Sequence, residues 1–354
     1  MKKFEHGGNV YTADGLKENW LDFSANINPL GMSEAVKSAI VDNIDGLIHY
    51  PDPNALELKF AISSKYKINL ENIITLNGAA EFFYLFFNII RPQRVLIAIP
   101  SFSEYERAAL SANCEVQYFK THAENNFEVN FDELTETIIK NKIDCVVLAN
   151  PNNPTGTVIK LRDVEKLFDI TDFIMVDESF IDFADIESTR NLVNDNKKLI
   201  VVQSMTKFFE IPGLRLGFAV ADEELIKIFE LGKDVWNVNY LAQKVGVTAL
   251  KDEIYYNKTR QWIDEEKKFV VDRLNRINNI KIFKPAVNFV LIKFETEEIA
   301  FDLLNYLRRK NILIRSCANF AGLDGSYLRM AIRKREENNK IIDLIDSFLK
   351  GQIL

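Results

Sequence analysis

Short apolar runs alternate with helical patterns through the middle of the chain. Ile73–Leu76, Val95–Ile99, Val116–Phe119, Cys145–Ala149, Phe173–Val176, Leu199–Val202 and Leu216–Val220 read as strands. Many are almost continuously apolar, as strands covered on both faces are. Between them Ser103–Ala112 and Leu161–Phe168 carry helical periodicity, and the run Phe82–Ile90 fits a buried helix. This alternation predicts an α/β domain around a mostly parallel mixed sheet with helices on both faces. After Ala221 the rhythm changes. Glu223–Leu231 and Leu241–Ile277 read as helices, the second long and charged. A β-rich end follows, with Asn288–Phe294, Ile312–Ile314 and Tyr327–Ile332 around a helix at Ala300–Arg309, and a further helix at the terminus. That part predicts a smaller α+β domain. The opening residues lack the sheet rhythm and are expected to pack against it. The expected division is an N-terminal arm at 1–45, a large domain at 46–235 and a small domain at 236–354.

Composition narrows the function classes. The 354 residues are 47% hydrophobic, enough for a substantial core. A formal charge of −7, with acids and bases interspersed, argues against nucleic acid as a partner. Cys114, Cys145 and Cys317 have no metal-ligand spacing, so no metal is expected, and Cys145 sits in an apolar strand as a small core residue. The segment Met1–Asn9 lacks the apolar stretch of a signal peptide, and no apolar run approaches a membrane span. A cytoplasmic protein with no membrane partner is the expectation.

The candidate chemistry clusters just past the predicted strand ends, where α/β sheets bind their ligands. Ser204-Met205-Thr206-Lys207 leaves the strand Leu199–Val202, and Arg215 follows eight residues later in Pro212-Gly213-Leu214-Arg215-Leu216-Gly217. A lysine there can form a Schiff base with a carbonyl cofactor, while a hydroxyl and a guanidinium can hold its phosphate. A surface lysine beside a salt-bridged arginine would read the same way. Asn77-Gly78-Ala79-Ala80-Glu81 opens an apolar helix, where a glycine allows close approach and free amides suit an anion. It also fits a plain strand-to-helix turn. Asn150-Pro151-Asn152-Asn153-Pro154-Thr155-Gly156 is a dense turn in which Asn153 could donate to a cofactor oxygen. Asp177, at the end of Phe173–Val176, suits a protonated pyridine nitrogen or, alternatively, the start of the next helix. Phe102 could stack on a flat ring or pack in the core.

In this order the motifs resemble the fold-type I pyridoxal phosphate enzymes, the aspartate aminotransferase superfamily, over essentially the whole chain. The resemblance implies Lys207 as the Schiff-base lysine, Asp177 at the pyridine nitrogen, Asn153 at the ring hydroxyl and Phe102 on the ring face. It implies that Ser204, Arg215 and the Gly78, Ala79 and Ala80 amides hold the phosphate of the cofactor, pyridoxal 5'-phosphate. It also implies homodimers with shared sites, and Tyr50, in His49-Tyr50-Pro51-Asp52-Pro53, matches a tyrosine that reaches the partner's cofactor phosphate in the histidinol-phosphate aminotransferase branch.

Within that branch, His6-Gly7-Gly8-Asn9, Asp22–Gly31, Phe102-Ser103-Glu104-Tyr105-Glu106, Glu178–Phe183 and Trp236-Asn237-Val238-Asn239 are similar to the threonine-phosphate decarboxylases of cobalamin synthesis. Phe180 stands where many superfamily aminotransferases have a tyrosine that donates to the ring oxygen. Arg329 matches the superfamily's carboxylate-binding arginine and Arg315 a phosphate-contacting one, with His6 and Asn26 closing over a phosphorylated amino-acid substrate. Two arginines suit two oxyanions, since a planar fork binds each bidentately. A pair of strand-end surface arginines remains the alternative. The implied reaction is decarboxylation of L-threonine O-3-phosphate, with L-serine O-phosphate as a variant substrate. Histidinol-phosphate transamination is the alternative enzyme reading, and a cofactor-binding regulatory domain the non-enzyme one.

Overall fold

The computed structural model describes residues 6–11 and 19–351. Seven strands form the main sheet, in the spatial order Ile73–Leu76, Gly217–Val220, Leu199–Ser204, Phe173–Asp177, Cys145–Ala149, Arg94–Ile99, Glu115–Lys120. Every neighbouring pair from Leu199–Ser204 to Glu115–Lys120 is parallel, and Gly217–Val220 runs antiparallel to both its neighbours. All seven expected strands are present with small shifts at their ends.

Period-two alternation divides the sheet's side chains between two cores. Ile74, Leu76, Val147, Met175, Ile200 and Val202 pack on one face with the helix Ala79–Ile90. Ile73, Val146, Val176, Leu199, Val201 and Phe218 pack on the other. The helix Ala79–Ile90 buries Phe82, Phe83, Phe86 and Phe87. At about 1.5–3 kcal/mol per buried large apolar side chain, these fix the helix firmly on the sheet. Its N-terminus is thereby held at the strand ends.

The C-terminal part has its own antiparallel sheet, ordered Arg315–Ser316, Tyr327–Ala331, Phe289–Phe294, Ile280–Phe283. The helices Glu297–Arg309 and Arg335–Leu349 belong to this part. Leu21–Asp22 pairs in parallel with Ile312–Leu313. The arm also reaches the large sheet: Asn28 N–H donates to the Lys207 carbonyl at 3.0 Å.

Two expected elements are corrected. Leu241–Ile277 is not a single helix but two, Tyr240–Lys251 and Glu253–Leu274. Asp252 breaks the run at φ −81°, ψ 73°, and its carboxylate accepts from Tyr255 N–H, so it caps the second helix. Leu161–Phe168 likewise keeps only Leu161–Glu165 as α-helix. Among the described residues no helix is long and apolar enough to cross a membrane.

Candidate active site

The carboxyl ends of the parallel strands open into a cavity of about 310 Å³. It is lined by twelve of the residues expected from sequence: His6, Asn26, Ala79, Ala80, Phe102, Asn153, Asp177, Ser204, Lys207, Arg215, Arg315 and Arg329. Gly78 abuts it from behind Arg215. Tyr50 is elsewhere, 76% exposed and stacked on Trp236 at 4.2 Å, so it does not serve this chain's own cavity.

Lys207 follows the strand Leu199–Ser204 and points into this space, its amine 5.2 Å from the Phe180 ring centre. Desolvation pulls its pKa down to about 8; Asp177 opposes that fall and Arg215 and Arg329 add to it. A depressed lysine is a better nucleophile near neutral pH. Asp177 ends its strand 6% exposed, and its Oδ1 accepts from Ser179 N–H at 2.8 Å. Its Oδ2 accepts the Tyr105 hydroxyl at 2.5 Å. Sequence pattern alone assigns Tyr105 no individual role. The available signal was its place three residues after Phe102, one helical turn along the strand-to-helix segment.

Gly78 sits at φ +82°, ψ 150° as the N-cap of Ala79–Ile90. A Cβ there would lie 2.4 Å from Arg215 Nη2, so only glycine lets that guanidinium pass. The first amides of the helix, at Ala79 and Ala80, have no intrahelical carbonyl to bond. The Ser204 and Thr206 hydroxyls lie 2.8 Å apart beside them on the cavity wall. Helix N-terminus, hydroxyls and an arginine together make an anion cradle of phosphate type.

Opposite, Arg329 is 5% exposed on the strand Tyr327–Ala331. It donates Nη1 to Asn153 Oδ1 and Nη2 to the Ser24 carbonyl at 2.6 Å. Asn153 therefore spends its oxygen on Arg329 and keeps its amide N–H groups for a ligand. Burial lowers the Arg329 pKa to about 10. Arg315 donates to the Ser316 carbonyl at 2.6 Å and to Asn319 Oδ1 at 2.7 Å. Asn26 is buried with its Oδ1 unpartnered, as are Asn288 Oδ1 and Arg329 Nε. His6 meets Glu104 Oε1 at 2.9 Å and lies 5.4 Å from the Phe102 ring, at the cavity mouth. Phe180 lines the wall as a bare ring, edge-on to Phe289.

A flat, phosphorylated aldehyde fits this donor set. The amine of Lys207 would meet its carbonyl, the Gly78–Arg215 cradle its phosphate, Asp177 a cationic ring nitrogen, and the Asn153 amide a ring oxygen. The unpartnered Arg329 Nε and Asn26 Oδ1 leave further polar capacity, which buried groups do not normally keep.

Residues 18–345 match the model of the family described as aminotransferase class I and II. The chain is 33% identical to threonine-phosphate decarboxylase of Salmonella typhimurium, over 98% of this chain and 97% of that one. Among solved structures, L-threonine-O-3-phosphate decarboxylase from Porphyromonas gingivalis superposes with a TM-score of 0.82 at 28% identity, covering 93% of this chain and 99% of that one. Histidinol-phosphate aminotransferase from Clostridium acetobutylicum superposes with a TM-score of 0.86 at 30% identity, covering 94% and 99%. The chain belongs to the aminotransferase class I and II family, a family of enzymes that work with pyridoxal phosphate.

Proposed function

We propose that this enzyme decarboxylates L-threonine O-3-phosphate to (R)-1-aminopropan-2-yl phosphate, supplying the nucleotide loop of cobalamin, with L-serine O-phosphate as a second substrate. The observation that carries this reading is the pairing of Arg315 and Arg329 in the same cavity as Lys207. Two guanidiniums match the two oxyanions of a phosphorylated amino acid, and the relatives named as decarboxylases of that substrate support it.

Pyridoxal phosphate bound here supplies an electron sink for the bond cleaved at the substrate's α-carbon. Lys207, Asp177, Asn153, Phe102, Ser204, Arg215 and the Gly78–Ala80 amides would hold it. The chain's own side chains then decide which bond is cleaved. Arg315 binds the phosphate and Arg329 the carboxylate, with Asn26 and His6 closing over the substrate. Together they would fix the substrate's rotation, and that orientation would decide which bond at the α-carbon is cleaved. Lys207 Nζ, poised near neutrality, carries the proton to the α-carbon after carboxylate loss. Phe180 offers no hydroxyl where many aminotransferases have one, which leaves Asn153 as the donor from that side.

The enzyme works as a homodimer in the cytoplasm in this reading. Support comes from an exposed apolar surface in the segments around Tyr50: Ile48 is 82% exposed, Phe60 57% and Leu231 90%, beside the Tyr50–Trp236 stack. Tyr50 on that surface would complete the partner's phosphate cradle.

The test is a substrate panel scored for two products. Carbon dioxide released from threonine phosphate without a 2-oxoacid supports the proposal. Amino transfer from histidinol phosphate to 2-oxoglutarate, with no carbon dioxide from threonine phosphate, would replace it with the aminotransferase reading, which the Clostridium structure supports.

A further inference from the structure

The Tyr105 hydroxyl is the only side-chain donor recorded on Asp177 among the described residues, and its surroundings hold it there. Tyr105 stands in the first turn of the helix Glu104–Ser111 and is 1% exposed. Its ring is clamped edge-on by Phe83, centre to centre 4.9 Å at 86°, and by Phe102 at 5.7 Å and 81°. Burial, and next the charge of Asp177, raise its pKa well above the ordinary tyrosine value, so the hydroxyl keeps its proton and remains a donor. With Ser179 N–H on Oδ1 and Tyr105 on Oδ2, the carboxylate is pinned at both oxygens. Tyr105 and Ser179 both lie in the cavity wall, and the one side-chain hydrogen bond the Tyr105 hydroxyl makes there, among the described residues, goes to Asp177, so what that hydroxyl can influence is the direction of the carboxylate.

We propose that Tyr105 is a positioning residue that holds the Asp177 carboxylate in one orientation and thereby sets how strongly the bound cofactor draws electrons. This rests on the assignment of Asp177 to the ring nitrogen. An ion pair in a poorly solvated site depends steeply on geometry, because little water is present to compensate for a misplaced charge. A carboxylate free to turn away would hold the proton on the ring nitrogen less firmly. The ring would then withdraw less charge from the linkage to Lys207, and that linkage would keep its own proton to higher pH.

Tyr105→Phe keeps the ring contacts and removes only the hydroxyl. The readout is the pH titration of the bound cofactor's visible absorption band, with cofactor affinity measured alongside. The midpoint is expected to move up by about half a unit or more, and the dissociation constant of pyridoxal phosphate to rise roughly tenfold, the scale of one hydrogen bond to a charged group. Phe229→Leu perturbs the same apolar cluster without lining the cavity, and is expected to lower the Tm while leaving the midpoint in place. A Tyr105→Phe protein that titrates as the wild type does overturns the inference, whatever its Tm. A wild type with no visible band after incubation with pyridoxal phosphate would overturn the assignment of Asp177 as well, which separates the two failures.

Discussion

Two polar clusters flank the same pair of strand ends and are built on opposite rules. By strand alternation Ser204 and Asp177 turn to the cavity, while Gln203 turns to the other face. There it joins Glu178, Asp182, Arg190, Tyr66 and Tyr256. Glu178 accepts from Thr189 N–H and Thr189 Oγ1, both at 2.7 Å, and from the Ser188 hydroxyl, and it pairs with Arg190 at 3.7 Å. Asp182 accepts from Gln203 Nε2 at 2.6 Å and from the Tyr66 and Tyr256 hydroxyls at 3.3 Å. Arg190 also donates to Gln203 Oε1 and covers the Tyr66 ring at 4.3 Å. On the cavity side, by contrast, Asn26 Oδ1 and Arg329 Nε are buried without partners, and Lys207, Arg315 and Arg329 bring positive charge together. A buried polar cluster that satisfies itself is scaffold. One that leaves capacity and like charge in place is made to take an anionic ligand.

The largest effects separate the two clusters by kind. Lys207→Ala is expected to cut turnover by about a thousandfold or more, the scale seen when a nucleophile is removed, while the apo-protein's Tm stays put. A variant with substantial turnover would remove Lys207 from the chemistry. Arg190→Ala is expected to do the reverse. It leaves the buried Glu178 carboxylate without its cation and should cost about 3–5 kcal/mol in urea unfolding, the scale for breaking a buried pair. A loss under 1 kcal/mol would mean that the second cluster is not the scaffold described.

Next comes a split within the cavity. Arg315→Ala should raise KM for a phosphorylated substrate about 10- to 100-fold, the range for hydrogen bonds to a charged group, with cofactor affinity unchanged. Equal losses of both would move Arg315 into the cofactor site. A subtler effect concerns pH. The neutral amine captures the aldehyde, so capture of pyridoxal phosphate by the apo-protein should speed up through a midpoint near 8. A midpoint near the ordinary lysine value, about 10.4, would contradict the enclosed position of Lys207.

The smallest effect belongs to the scaffold. Burial raises the pKa of Asp182 above its ordinary value. A carboxyl raised in the folded state favours folding while protonated, and that contribution is lost as pH rises through the folded pKa. Asp182→Asn lacks the loss, so its stability relative to the wild type should increase as pH rises above about 4, in urea unfolding at several pH values. A difference that stays constant with pH would show that Asp182 is not desolvated as described.

Much of this was legible in the sequence for a physical reason. The inner strands of the parallel sheet are apolar on both faces, so each appears as a short continuous run, and Cys145–Ala149 keeps its ends unchanged, while the edge strand Glu115–Lys120 is largely exposed. The cavity residues follow those runs directly, so Asn153, Asp177 and Lys207 could be placed without coordinates. What stayed hidden lacked a pattern or depended on distant partners. The helix Leu56–Tyr66 has no sustained apolar face, and the edge strand Ile280–Phe283 is short and mostly half-exposed. The helix Phe131–Asn141 did carry a signal, since Asn130 caps the amides of Asp132 and Glu133. Asp252 reads as one charge among many until its cap is seen. Tyr105 meets Asp177 across 72 residues of sequence, so its spacing from Phe102 marks the residue but not the bond it makes.

The central claim is that the cation-rich cluster, and Lys207 within it, carries the cofactor. Borohydride reduction of the yellow protein followed by peptide mapping tests it most directly. The expected product is a phosphopyridoxyl group on the peptide containing Lys207, lost in Lys207→Ala. The same label on another lysine, or no label on a protein saturated with pyridoxal phosphate, would contradict it.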